Sequence, residues 1–336
     1  MTMKHFIWFG MLVMLAGLWA CSRQEAPKPL DAVTVQLKWV HQAQFAGLYV
    51  AQEKGYFAEE GLKVGFLEGG QGIDSVQALT SGQADFAVIT PEDILVLRSQ
   101  GAAIVAIAAI YRRSAVVYLS IPGTGIVQPT DFSGKTAAVT GRDGAVRDLE
   151  FQFHALMKKI GVPLDAVRCL PYDPGYTAFI QGDVDITAAY LTAGVVKLRQ
   201  KGYLPNIIWP GDYGIHFYSD TLATTETMIA RHPDRVVRFL RAGLKGWREA
   251  VGDPESAVSV TLKYARLPDS RLQTAMMDAQ LPLIHTGSGP IGWMEPEIWQ
   301  GMYQVMMEQG LIAAPVDVQG AYSMAFLKSI YEGGGK

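Results

Sequence analysis

The stretch Val33–Gly70, VTVQLKWVHQAQFAGLYVAQEKGYFAEEGLKVGFLEGG, decides the fold. Val33 to Leu37 alternates apolar and polar side chains and reads as a strand. Lys38 to Gln44 reads as an exposed turn. Phe45 to Lys54 reads as a helix, with Leu48, Val50 and Ala51 at helical spacing and Gly55 as its stop. Leu62 to Leu67 is a second strand. Strand, turn, helix and strand over this length make most simply a right-handed βαβ crossover. Its turn stands at the carboxyl end of the first strand, where open α/β sheets bind ligands. Trp39, His41, Gln42, Gln44 and Phe45 crowd that turn. An amide or imidazole can hydrogen-bond the edge of a heterocycle while an indole covers its face. The competing reading makes Trp39 and Phe45 core residues and His41 a solvated one.

One hundred residues separate Leu79–Phe86 (LTSGQADF) from Phe179–Ile186 (FIQGDVDI), and the two carry one pattern. Each is a helix end, a glycine stop and an aspartate leading into a short buried strand, Phe86 to Ile89 or Ile186 to Tyr190. The recurrence points to two similar α/β lobes. The first continues through an apolar strand from Ala102 to Ile110 and ends in Tyr111. The chain crosses near Val116 to Ser120, and a strand Thr136 to Thr140 leads through Gly141-Arg142-Asp143-Gly144 into a helix. Backbone N–H groups of such a turn, Gly141 first, can point at a ligand oxygen. Further strand ends carry Tyr172-Asp173, Tyr190-Leu191-Thr192 and Asp212-Tyr213, aromatic groups suited to a flat ligand in a cleft. From Tyr218 the chain returns to the first lobe with a strand Thr221 to Ala230, a helix Asp234 to Val251 behind Pro233, and two more near Asp269–Leu281 and Pro296–Gln309. Trp299, Met302 and Met306 form a core stripe on the last. Lobe one thus covers 33–117 and 218–336, with lobe two, 118–217, inserted.

A formal charge of −3 with interspersed signs argues against nucleic acid, which wants a basic face. No His or carboxylate cluster has ligand spacing, and two cysteines, Cys21 and Cys169, make no metal site of the thiolate type. No G-x-S-x-G elbow or other nucleophile–base arrangement is present, so binding without catalysis and without a cofactor is expected.

Lys38–Leu62 (KWVHQAQFAGLYVAQEKGYFAEEGL) resembles the N-terminal signature of the periplasmic-binding-protein family that includes binders of thiamine-pyrimidine precursors and of riboflavin. Fungal enzymes that make the thiamine pyrimidine share that fold family. GYLPNIIWPGDYGIHFYSDTL (202–222) and IGWMEPEIWQGMYQVMMEQGLI (291–312) look like the riboflavin-type branch. Asp131-Phe132-Ser133-Gly134-Lys135 resembles the opening of the second lobe in such proteins. The resemblance implies a two-lobed, type II-like binding-protein fold with the ligand cleft between lobes. It also implies a small aromatic heterocycle as ligand, an ABC permease and its ATPase as partners, and a monomer. Trp39 and Tyr190 would stack on the ring, and His41, Gln42, Asp74 or Thr90 would hydrogen-bond it. Phe45, Tyr111, Gly141, Tyr172, Asp173 and Thr192 complete the expected lining. Glu92 is either a further acceptor or a carboxylate favoured by its helix N-terminus. One departure stands out: after Tyr190-Leu191-Thr192 the riboflavin-type branch usually shows Asn-Glu-Pro, and here the residues are Ala193-Gly194-Val195.

Met1 to Ala20 has an early lysine and an apolar run from Phe6, as an export signal does. Leu18-Trp19-Ala20-Cys21 resembles a bacterial lipobox, which implies cleavage before Cys21, a lipid on its sulfur and a periplasmic or cell-surface membrane anchor; ordinary cleavage near Ala20 is the alternative. Residues 21–32 are then a polar tether. A synthase-like enzyme and a ligand-sensing lipoprotein are the other functions compatible with the family. The export signal and the lack of a cysteine-rich motif weigh against the enzyme.

Overall fold

The computed structural model describes residues 29–141, 147–287, 289–312 and 314–333. The leader, Cys21, most of the tether and Arg142-Asp143-Gly144 lie outside them. In chain order the strands are β1 (Asp31–Gln36), β2 (Leu62–Leu67), β3 (Phe86–Ile89), β4 (Ile104–Ala109), β5 (Val116–Ser120), β6 (Thr136–Thr140), β7 (Arg168–Pro171), β8 (Ile186–Tyr190), β9 (Asn206–Ile208) and β10 (Thr221–Thr225). They form two sheets of matching order, β2-β1-β3-β10-β4 and β7-β6-β8-β5-β9. In the first, β1 is parallel to β2 and β3, while β10 runs antiparallel between β3 and β4. The second repeats this, with β6 parallel to β7 and β8 and with β5 antiparallel between β8 and β9.

The repeated motif lies at the same place in both sheets. Gly82 (φ +78°) and Gly182 (φ +82°) end their helices in the left-handed conformation that costs glycine least. Asp85 then donates its N–H to Thr34 O at 2.9 Å and accepts the Thr34 N–H on its carboxylate at 2.8 Å. Asp185 does the same with Thr136, at 3.0 and 2.8 Å. Each aspartate pins the third strand of its lobe beside the first, one residue before the ladder pairs Val35 with Phe86 or Ala137 with Ile186. A register slip would turn every apolar side chain of these strands to the wrong face.

Each sheet has its own aromatic core. Phe86 and Phe57 both stack on Phe239, at 4.0 and 5.6 Å between centroids, and Phe153 stacks on Phe132 at 6.0 Å with Tyr118 edge-on. Trp299, Met302 and Met306 are fully buried, as their spacing predicts. The strand expected over Thr221 to Ala230 is shorter than that reading. Thr225 ends β10 and caps the helix Glu226–Arg231 by accepting the Met228 N–H at 3.1 Å.

The chain leaves the first sheet over Ile110 to Ala115 and returns over Trp209 to Asp220, so the boundary expected at 117 falls inside β5. The two crossings run side by side. Ile110 and Tyr111 donate N–H bonds to Asp220 O at 2.8 and 3.2 Å, and Ser219 donates to Tyr111 O at 3.1 Å. The Ala115 N–H reaches Ser219 Oγ at 3.0 Å.

Candidate ligand-binding site

The carboxyl ends of β1 and β8 face one another across a cavity of about 50 Å³. The first lobe lines it with Lys38, Trp39, Gln42 and Gln44, all from the single connection after β1. The second lobe contributes Leu149, Tyr172, Pro174, Tyr176, Tyr190, Ala193, Gly194 and Lys197.

Lys38, read from sequence as part of an exposed turn, is only 3 % exposed. Its ammonium donates to Asp148 Oδ2 at 3.0 Å and contacts the Tyr190 hydroxyl, which itself donates to Asp148. Behind this triad lie three more buried carboxylates of the first lobe. Glu92 accepts from Gln152 Nε2 at 2.7 Å, Asp93 faces Arg147 Nε at 3.0 Å, and Asp220 accepts from Gln44 Nε2 at 2.6 Å. One oxygen each of Glu92, Asp148 and Asp220 has no hydrogen-bond partner. Burial, with Asp148 adding to it, lifts Glu92 well above the usual carboxylate range, and burial pushes Asp93 and Asp220 up to about 6. Burial alone would lower the Lys38 ammonium. The carboxylates of Asp148, Asp220 and Glu92 outweigh it and hold the group above its ordinary value. Lys38–Asp148, Glu92–Gln152 and Asp93–Arg147 each join one lobe to the other.

The opposite wall is built on a strained turn. Tyr176 has φ +58°, the one positive φ outside glycine among the described residues. The Asp173 carboxylate holds that turn by accepting the N–H groups of Gly175 and Thr177 at 2.8 and 2.6 Å. The hydroxyls of Tyr172 and Tyr176 lie 3.0 Å apart, with the rings edge to face. Gly194 makes room for them: a Cβ there would stand 2.0 Å from the Tyr176 hydroxyl. Gly194 belongs to a π-type turn, Leu191–Val195, that follows β8 and opens the helix Val196–Gln200. Such turns are frequent at functional sites.

Trp39, Gln42, Tyr172 and Tyr190 of the expected site therefore meet at the cavity. The structure places the other expected residues away from this cavity. Phe45 is core, edge-on to Tyr49. His41 turns away, with its N–H on Glu68 at 3.0 Å and its ring Nδ1 on the Tyr49 hydroxyl at 2.8 Å; burial lowers its pKa. Asp74 caps the helix Ser75–Thr80 and borders a separate groove on the first lobe. Thr90 caps the helix Pro91–Ser99, and Glu92 is sealed behind the cavity. Tyr111 is fully buried and donates to Gln280 at 2.6 Å, with Thr192 beside it. Asp173 fastens its own turn, and the Gly141 N–H is taken by Glu150 at 3.1 Å, so neither lines the cavity. Sequence reading gave no place at the site to Lys38, Tyr176 or Lys197, and it noted Gln44 in the turn without assigning it a role. Lys38 falls on the polar phase of the alternation Thr34, Gln36, Lys38, so nothing local marked it as a buried group.

Two mixed sheets of matching order, linked by paired crossings with a cavity between them, define the periplasmic-binding-protein fold. The structure superposes with the periplasmic aliphatic sulphonate binding protein SsuA from Escherichia coli at a TM-score of 0.71, covering 87 % of this chain and 91 % of that one at 15 % identity. The chain belongs to the family described as NMT1/THI5 like, which matches residues 42–257. It is 28 % identical to the riboflavin-binding protein RibY of Chloroflexus aurantiacus, over 92 % of this chain and 91 % of the relative. It is 25 % identical to the formylaminopyrimidine-binding protein of Halalkalibacterium halodurans, over 96 % and 99 %. A 4-amino-5-hydroxymethyl-2-methylpyrimidine phosphate synthase of Aspergillus parasiticus is 27 % identical over 68 % of this chain and 69 % of its own length. Among the described residues no helix is long and apolar enough to cross a membrane.

Proposed function

We propose that this protein is the solute-binding lipoprotein of an ABC importer and captures a small aromatic heterocycle of the riboflavin or pyrimidine-precursor kind. The observation that carries the reading is the cavity itself. Trp39, Tyr172 and Tyr190 supply aromatic walls, and Gln42 and Gln44 supply amides at the ring edge. Its volume of about 50 Å³ is far below the few hundred typical of a small-molecule site, so capture requires the lobes to part. The paired crossings at Ile110–Ala115 and Trp209–Asp220 are the natural place for that bend, and the cross-lobe polar pairs close it again. Binding is favoured over synthase chemistry because, among the described residues, the lining holds no cysteine, serine or histidine. The two relatives matched over nearly their whole length are also binding proteins. Delivery would be to a permease and its ATPase, from a monomer held at the membrane through Cys21.

The test is a titration of the chain starting after Cys21, refolded to strip any carried ligand. Riboflavin, hydroxymethylpyrimidine, its formylamino precursor and thiamine would be added while tryptophan fluorescence and melting temperature are followed. Saturable binding of one is expected, with Trp39→Ala weakening it by roughly 1–3 kcal/mol. Silence for all four would sink the vitamin-import reading. For the anchor, Cys21→Ser should move the full-length protein out of the membrane fraction, and unchanged fractionation would rule out the lipid.

A further inference from the structure

Two of the cavity's lining residues carry charge, Lys38 and Lys197. The Lys38 ammonium already has Asp148 at 3.0 Å and the Tyr190 hydroxyl. The Lys197 side chain has no hydrogen bond or ion pair among the described residues. It stands one helical turn beyond Ala193, on the face that also lines the cavity. Burial disfavours its charge, and Lys201, a like charge one turn further, disfavours it again. A half-buried ammonium in this position gains most from an oxygen that brings negative charge or a strong carbonyl dipole. Across the cavity Gln44 is already committed, giving its N–H to Asp220 and accepting from Gln42. Among the described residues the Gln42 side-chain oxygen Oε1 accepts no hydrogen bond and stays available to an N–H donor, whereas its backbone carbonyl accepts the Phe45 N–H at 3.1 Å. The cavity therefore offers a cationic donor on one wall, an amide acceptor on the other and aromatic faces between them.

We propose that Lys197 sets the ligand class: a planar heterocycle presenting a ring carbonyl or acid oxygen toward Lys197, in preference to a cationic or amidine-edged ring. The inference rests on the small-molecule binding function proposed above. A ring positive charge facing an uncompensated ammonium would be repelled, whereas an imide edge places a carbonyl at Lys197 and its N–H toward Gln42.

The probes are riboflavin, which has an imide edge; its 5′-phosphate, with the same edge plus an acid group; and hydroxymethylpyrimidine, which has an amidine edge and no ring carbonyl. Each is titrated into wild type, Lys197→Met and Lys197→Arg, with the melting midpoint of each variant as the folding control. Riboflavin or its phosphate should bind wild type at least tenfold more tightly than the pyrimidine. Lys197→Met should lower that affinity by roughly ten- to a hundredfold, the scale of one charge-assisted hydrogen bond, while Lys197→Arg keeps most of it. A loss confined to the phosphate would mean that Lys197 reads the acid oxygen; a loss for both, the ring carbonyl. Tighter binding of the pyrimidine, or flavin binding unchanged in Lys197→Met, would overturn the inference and leave the binding function standing. If none of the three binds a folded wild type, this inference falls, while the binding function stands or falls with the formylamino precursor and thiamine titrated above.

Discussion

After β3 the chain runs Thr90-Pro91-Glu92-Asp93-Ile94 into a regular helix, and after β8, one hundred residues on, Tyr190-Leu191-Thr192-Ala193-Gly194 into a π-type turn. The strands before them are pinned by the same aspartate bonds and occupy the same place in their sheets. The first connection is conventional: Thr90 caps it through the Asp93 N–H at 3.1 Å, and Pro91 occupies the first turn. It buries two carboxylates that reach across to the other lobe. The second has no capping side chain and brings Ala193, Gly194 and Lys197 to the cavity. One scaffold thus serves two ends. Where the third strand stops, the first lobe is built to clasp its neighbour and the second is built to shape a wall.

The largest effect expected from breaking this division is at Lys38. Lys38→Met leaves Asp148 buried without its cation and should cost about 3–5 kcal/mol in denaturant unfolding. The double variant Lys38→Met/Asp148→Leu should recover most of it, and a double variant no better than the single would show that the pair is not the clasp. Next comes Asp220, raised by burial to about 6 from an ordinary 3.8. Between those values the folded chain holds a proton that the unfolded chain has released. This contribution to stability is therefore full below about pH 4 and is lost as pH rises to 6. Asp220→Asn should remove about 3 kcal/mol of that decline, seen as a flatter unfolding free energy from pH 4 to 6; parallel curves would refute the shift.

On the wall side the expected effects are smaller. Gly194→Ala forces its Cβ onto the Tyr176 hydroxyl and should cost about 1–3 kcal/mol, with weaker ligand capture. An alanine variant that melts and binds like wild type would mean that the tyrosine pair yields freely. Last, Asp85→Ala and Asp185→Ala should each cost about 1–2 kcal/mol and by similar amounts, since each strips a strand N–H of its acceptor. A wide disparity between the two would break the equivalence on which the comparison stands.

The scaffold was legible because its signals are local. Alternation in Val33–Leu37, a glycine after each helix and an aspartate before each third strand are read within a few residues, and β2, β3, β6 and β8 fall where those signals put them. The charged clasp was not legible in this way. Lys38 and Asp148 are 110 residues apart, and no periodicity links a lysine closing one strand to an aspartate in another lobe's helix. Tyr176 escaped for a different reason. Its left-handed backbone is imposed by Asp173 from outside its own side chain, so the residue type gives no sign of it. Aromatic residues at strand ends line the cavity where the end faces it, as at Tyr172 and Tyr190, and pack inward where it does not, as at Tyr111; residue type alone does not separate the two.

The strand β10 lies between β3 and β4 although more than a hundred residues, the whole second lobe among them, separate it from either in the chain. A polypeptide emerging from its N-terminus has all of β5 to β9 before it has the middle of its first sheet. The inserted lobe can close on itself at once, whereas the earlier half waits with two strand edges unpaired. Such edges invite intermolecular pairing, and the long loop that finally joins them slows the step. The last third of the chain therefore sets the moment at which the newly made protein stops being a target for aggregation and for proteases.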